Sequence, residues 1–226
     1  MSDHLKLAIE ENLKKINENI QGICSKVGYN NDKITIVAVT KKQSQQAVEA
    51  VIKSGIDNIG ENRVQQAEQK YLNIPPEINK HFIGHLQTNK INKCLEIFGV
   101  IQSIDSLKLA KKIKLSLARK GISKYPVFVQ VNISQEDQKF GAAPDRVDEI
   151  ISFIGEAEEF NLRGLMGISG LGASASEIRK QFAFLYKLNQ HYSLPELSMG
   201  MSDDYLLAIE QGSTMVRIGR IIFESR

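Results

Sequence analysis

The 226-residue chain contains no tryptophan, two cysteines, five prolines and four histidines, and aromatic residues make up only 7% of it. Each shortage removes a class of protein. Cys24 and Cys94 are too far apart for a close-spaced metal pair and too few for a disulfide framework, which fits a reducing compartment and a role as small apolar fillers. No apolar run approaches the length of a membrane span, and the N-terminus MSDHLKLAIEENLKK is charged throughout instead of offering a basic patch followed by an apolar stretch. A cytoplasmic location without membrane attachment is the expectation. His4, His81, His85 and His191 form no metal-spaced motif, and neither a nucleophile-elbow serine nor a Walker lysine is found, so no metal is implied. An excess of one charge is also missing. The 29 basic and 26 acidic residues leave a net +3 without a long basic block, so nucleic acid is not an expected partner. The locally basic SLKLAKKIKLSLARKG sets Leu107, Ala110, Ile113 and Leu117 on one helical face, and its lysines read as the solvated side of that helix.

What the chain does have is a hydrophobic content of 42%, ample for a sizeable core, and a regular alternation. An opening helix carries Ile9, Leu13, Ile16, Ile20 and Ile23 at spacings of four and three. Eight strand-like runs follow: ITIVAV, DNIG, HFIG, VIQSI, PVFVQVNI, LRGLMGI, ELSMG and TMVRIG. Helical patterns separate them near 44–54, 62–72, 88–97, 106–120, 144–156, 174–191 and 203–211, with Gly121 and Gly212 at C-terminal cap positions and Ser202 or Asp203 as the N-cap of the last. Strict alternation implies a parallel sheet covered by helices. Eight units in this length predict an α/β fold in which 1–226 forms a single (β/α)8 TIM barrel with an extra N-terminal helix, an open doubly wound sheet being the alternative.

In such a barrel a site lies at the carboxyl ends of the strands, and phosphate groups commonly sit on the loops after the seventh and eighth. After ELSMG comes Ser202, a hydroxyl at a helix start; after TMVRI come Gly219, for close backbone approach, and the cations Arg217 and Arg220. The first strand ends on the same face in Lys41 and Lys42. Alternation sends these to opposite sides, and Lys41 shares its side with Val37 and Val39, which favours it as the inward one because branched residues dominate barrel interiors. In a desolvated mouth beside arginines, such a lysine would become an amine able to attack a carbonyl. An amine nucleophile with a phosphate cradle suggests a phosphorylated aldehyde, for which pyridoxal 5'-phosphate is the obvious candidate. The ordinary reading stands beside it: a strand-end lysine is commonly a snorkelling surface residue, and Arg217 could pair with a carboxylate.

The motifs AVTKKQ, IGENRVQ, HFIGHLQTNK, VQVNISQEDQKFG, LRGLMGI and LSMGMSDDYLLAIEQGSTMVRIGRIIF, spread from about 34 to 223, resemble the YggS/PROSC family of pyridoxal phosphate homeostasis proteins. The resemblance implies the barrel type of the alanine racemase N-terminal domain and a cofactor held as an internal Schiff base, with no established catalytic reaction. By position it makes Lys41 the Schiff-base residue, with Lys42 solvated. It places Arg217 at the pyridine nitrogen, and Ser202 with the backbone N–H groups of Gly219 and Arg220 at the phosphate. Asn62 and His85 fall in family motifs at the barrel mouth without an assigned role. The implied function is intracellular storage, buffering or delivery of pyridoxal phosphate, with apo pyridoxal-phosphate enzymes as partners and a monomer as the expected state. Two rivals are a racemase-like enzyme acting on amino acids, and a barrel for another phosphorylated metabolite with Lys41 as a plain cation. Racemisation needs a second base opposite Lys41, and Tyr205, in the helix after strand seven, is not expected to reach it. Two departures stand out: GISG at 167–170 lacks the family's proline, and Glu224 replaces a common glycine. GISGLGAS does not have the spacing of a dinucleotide loop and reads as a flexible connection.

Overall fold

A computed structural model describes residues 2–30, 34–136 and 138–224; Asp137 of the VQVNISQEDQKFG motif lies outside the described residues. Eight strands form a closed, all-parallel barrel in sequence order: β1 (Thr35–Val39), β2 (Asn58–Glu61), β3 (Asn79–Phe82), β4 (Val100–Ile104), β5 (Tyr125–Val131), β6 (Phe160–Gly167), β7 (Glu196–Ser198) and β8 (Met215–Ile218). Closure comes from β1 pairing with β8, Thr35 opposite Met215 through Ala38 opposite Ile218. An open sheet is thereby excluded. The helices are α1 (Ser2–Val27), α2 (Gln45–Lys53), α3 (Val64–Lys70), α4 (Ile91–Ile97), α5 (Leu107–Lys120), α6 (Val147–Gly155), α7 (Ala175–His191), α8 (Tyr205–Glu210) and α9 (Arg220–Phe223). Single 3-10 turns at Thr88–Lys90 and Pro144–Arg146 lead into α4 and α6.

Local chemistry sets these boundaries. Ser44 and Ser106 accept from Ala47 N–H at 3.2 Å and Leu109 N–H at 3.3 Å, and Ser174 with Glu177 forms a capping box on α7. Gly121 closes α5 with φ 66°, and Gly212 follows α8 with φ 93°, a backbone state that glycine adopts without a Cβ clash. The N-cap of α8 differs from expectation. It is Asp204, not Ser202 or Asp203, and its carboxylate turns away from the helix to accept from Met201 N–H at 2.6 Å and Ser169 O–H at 2.5 Å.

The α1 stripe packs on α2, α8 and α9 through Ile9, Leu13, Ile16 and Ile20, each burial contributing about 1.5–3 kcal/mol. It ends on buried Cys24; Ile23 is only half-buried. Asn12 Nδ2 donates to the carbonyls of Ile222 at 3.1 Å and Glu224 at 3.0 Å, fixing the chain that follows β8. The contact to Asn12 uses only the Glu224 backbone, and its exposed carboxylate lies 3.9 Å from Arg220 Nε, so a side chain is accommodated where the family commonly has glycine.

Inside the barrel, branched residues do not dominate. Val37, Phe128, Met166 and Met215 make a small apolar cluster, and the remaining interior positions include buried His81, Gln102, Ser198 and Arg217. Arg217 supplies the physical reason: a buried guanidinium needs hydrogen-bond acceptors around it.

Candidate functional site

An open cavity of about 1080 Å³ occupies the barrel mouth at the carboxyl ends of the strands. Lys41, Asn62, Ser202, Arg217, Gly219 and Arg220, the six residues singled out in the sequence, all line it, as does His85.

Lys41 and Lys42 part company because the strand stops before them. After Val39 the chain turns, with Gln43 N–H bonded to the Thr40 carbonyl at 3.0 Å and Lys42 at φ 63°. Lys42 is exposed outside the cavity. Lys41 enters it beside Val39 but is exposed rather than desolvated, and among the described residues its amine makes no hydrogen bond or ion pair. The turn is braced from below. Lys70 Nζ donates to the Thr40 carbonyl at 2.8 Å and to Glu61 Oε2 at 2.7 Å, and the Thr40 hydroxyl contacts Tyr71 Oη at 2.7 Å. The other Glu61 oxygen accepts from Asn62 N–H at 2.8 Å. Burial holds the Tyr71 phenol far above its ordinary range, so it stays protonated. Against Asn62, Gly84 is required: a Cβ there would lie 2.1 Å from the Asn62 carbonyl oxygen.

Arg217, 3% exposed, reaches the cavity from β8. It donates to Ser198 Oγ at 2.7 Å and to the Gly167 carbonyl at 2.8 Å, and no carboxylate pairs with it among the described residues. Burial lowers its pKa to about 10, partly offset by the field of Asp204, so it remains a cation at neutral pH. Behind Ser198 the bonds continue: Ser198 O–H to Gln102 Oε1 at 2.7 Å, Gln102 Nε2 to His81 Nδ1 at 2.9 Å, and His81 Nε2 to Asn58 Oδ1 at 3.1 Å. Burial pushes His81 down to about 4, leaving it a neutral imidazole.

On the opposite flank, Gly219 lets β8 press on β1; a Cβ would stand 3.1 Å from the Val39 carbonyl. The Arg220 guanidinium is paired with the Asp203 carboxylate and lies 3.9 Å from Glu224 Oε1, so its charge is already partnered. Ser202 sits in a short turn clasped by Asp204. That clasp explains the departure at GISG: Ser169 stands where a proline was expected, and its hydroxyl ties the loop after β6 to the loop after β7. Lys139 Nζ adds a bond to the Ser169 carbonyl at 3.1 Å. Across the mouth, His85 stacks on Phe140 with centroids 4.1 Å apart, its Nδ1 lying 3.3 Å from Asp105 Oδ2.

Sequence reading missed the supporting residues Glu61, Lys70, His81, Gln102, Ser198 and Asp204. A signal existed for one of them: Gln102 is a polar residue in the middle of a mainly apolar strand, as Arg217 is.

The sequence profile of the alanine racemase N-terminal domain matches residues 12–226. The pyridoxal phosphate homeostasis protein of Aquifex aeolicus is 31% identical, covering 96% of this chain and 97% of its own; that of Escherichia coli K12 is 34% identical, covering 96% and 97%. The structure of PipY from Synechococcus elongatus PCC7942, solved with PLP bound, superposes with a TM-score of 0.83 at 30% identity, over 96% of this chain and all of that one.

Proposed function

Because the chain belongs to the family of pyridoxal phosphate homeostasis proteins, on the barrel of the alanine racemase N-terminal domain, we propose that its barrel mouth holds pyridoxal 5'-phosphate for storage, buffering or delivery. The observation that carries this is the donor set around one cavity: the Lys41 amine and the Arg217 guanidinium, which pair with no carboxylate among the described residues, and Ser202 with the Gly219 and Arg220 backbone. These residues fit the group. When bound, its aldehyde supplies an electrophile that an amine can hold reversibly. Lys41 would hold that carbon. Arg217 would donate to the ring nitrogen, and because a guanidinium cannot accept a proton it keeps that nitrogen unprotonated and the ring a weak electron sink. Ser202 and the backbone of Gly219 and Arg220 would receive the phosphate, and Asn62 would close the side wall.

A non-catalytic role is the finer part of the proposal. It is supported by the exposure of Lys41 in an open mouth, which suits exchange of a carried group better than chemistry sheltered from water. Apo pyridoxal-phosphate enzymes would be the recipients. Both cysteines are free and buried, in keeping with a cytoplasmic setting.

The test separates the two lysines. Borohydride reduction of protein loaded with pyridoxal phosphate should fix the pyridoxyl group on Lys41, and Lys42→Ala should leave the yield unchanged. A peptide map placing the group on Lys42, or no visible absorbance band after loading, would overturn the proposal.

A further inference from the structure

The bonds behind Arg217 share one direction. Arginine has only donors, so Ser198 Oγ accepts from it and spends its own proton on Gln102 Oε1. The amide orientation of Gln102 is fixed independently: its nitrogen lies 3.1 Å from the Met215 sulfur, an acceptor, as well as 2.9 Å from His81 Nδ1. His81 Nδ1 is therefore unprotonated, and its Nε2–H donates to Asn58. The chain from Arg217 to Asn58 thus crosses the barrel interior through β8, β7, β4, β3 and β2, each donor aligned with the next. Aligned bonds of this kind polarise and strengthen one another in a low-dielectric interior. Neither Gln102 nor His81 lines the cavity, and Gln102 is fully buried.

We propose that Gln102 is a positioning residue for Arg217: acting through Ser198, it holds the guanidinium so that its remaining N–H groups face the cavity, and His81 holds Gln102 in the orientation this requires. The inference rests on the reading that Arg217 meets the ring nitrogen of bound pyridoxal phosphate. A buried guanidinium bound, among the described residues, to one hydroxyl and one carbonyl could otherwise swing toward any acceptor in the mouth. With Gln102 in place, Ser198 cannot turn its proton toward Arg217, because that proton is committed elsewhere. The wall at the ring nitrogen is thereby fixed as a donor.

The experiment compares Gln102→Met, Arg217→Met and the double variant, each loaded with pyridoxal phosphate. Dissociation constants and the pH titration of the bound cofactor's absorbance are measured after circular dichroism has verified the fold. Gln102→Met should weaken binding about tenfold, the scale of one hydrogen bond to a charged group. It should shift the absorbance titration in the same direction as Arg217→Met, and the double variant should add nothing to Arg217→Met alone. A parent-like titration in Gln102→Met, or full additivity in the double variant, would overturn the inference. If Arg217→Met itself leaves the titration unchanged, the underlying assignment of Arg217 fails instead, and the inference with it. Should Gln102→Met not fold, Ser198→Ala interrupts the same chain by loss of one hydroxyl and is read by the same criteria.

Discussion

Lys70 Nζ lies 2.7 Å from Glu61 Oε2 and 2.8 Å from the Thr40 carbonyl, so one side chain of α3 ties together the ends of β1 and β2 immediately before Lys41 and Asn62. The Glu61 side chain is fully buried and that of Lys70 nearly so. Removing one partner strands the other. Lys70→Met should destabilise the protein by about 3–5 kcal/mol, the cost of an uncompensated buried charge. Lys70→Met combined with Glu61→Gln should recover a large part of it, since a neutral amide can still accept from Asn62 N–H. Urea denaturation of the three proteins measures this. A single variant within about 0.5 kcal/mol of the parent would mean that the pair is solvated in solution.

A second prediction concerns pH. His81 is 3% exposed, its ring nitrogens face the neutral groups of Asn58 and Gln102, and burial lowers its pKa from 6.5 to about 4. Between these values the unfolded chain binds a proton that the folded protein excludes. The His81 contribution to stability is therefore complete above pH 6.5 and is lost as the pH falls toward 4, by roughly 2–3 kcal/mol. His81→Gln keeps amide partners for Asn58 and Gln102 but has no such titration. The stability gap between parent and variant should close, or reverse, on going from pH 7 to pH 4.5. An equal gap at both would show that His81 is not held neutral by burial.

The barrel was legible in the sequence because each strand–helix unit carries its own periodicity, and a closed parallel sheet leaves few other arrangements for eight of them. Lys41 and Arg217 were legible because a cation at or near the end of an apolar strand is anomalous on local grounds alone. The reason given for Lys41 was incomplete, however. Alternation stops at Val39, and the φ of 63° at Lys42 does the separating. The supporting residues were harder to read for a different reason. Lys70 meets Glu61 and Thr40 only once α3 has packed back beside β1 and β2, and the chain from Arg217 to Asn58 joins strands far apart in sequence through the barrel interior. Pairings of that kind depend on register and closure, which local pattern does not contain. Ser169 illustrates the same limit: it departs from the family's proline in the loop after β6, and the partner of its hydroxyl, Asp204, lies 2.5 Å away on the loop after β7.

The last prediction is that the protein, saturated with pyridoxal phosphate, does not racemise alanine at an ordinary enzymatic rate. Racemisation needs a base on each face of the cofactor, one to remove the α-proton and one to return it from the other side. Lys41 provides one such group. Tyr205, a tyrosine of the barrel itself, cannot provide the other: it is buried in the outer layer, and its hydroxyl accepts from Asn19 Nδ2 of α1 at 3.1 Å. Among the described residues no tyrosine lines the cavity, and the one imidazole that does is His85. Its Nδ1 is occupied by Asp105 and its ring lies flat on Phe140, so it would have to leave both contacts to approach a substrate over Lys41. An unprotonated ring nitrogen opposite Arg217 would further weaken the stabilisation of any carbanion. The measurement is solvent-deuterium incorporation at Cα of L-alanine, coupled to chiral analysis of the product. No more than a trace of D-alanine is expected. Turnover on the order of one per second or faster that vanished in Lys41→Ala would replace the carrier reading with that of an enzyme, and loss of the same turnover in His85→Ala would identify the second base.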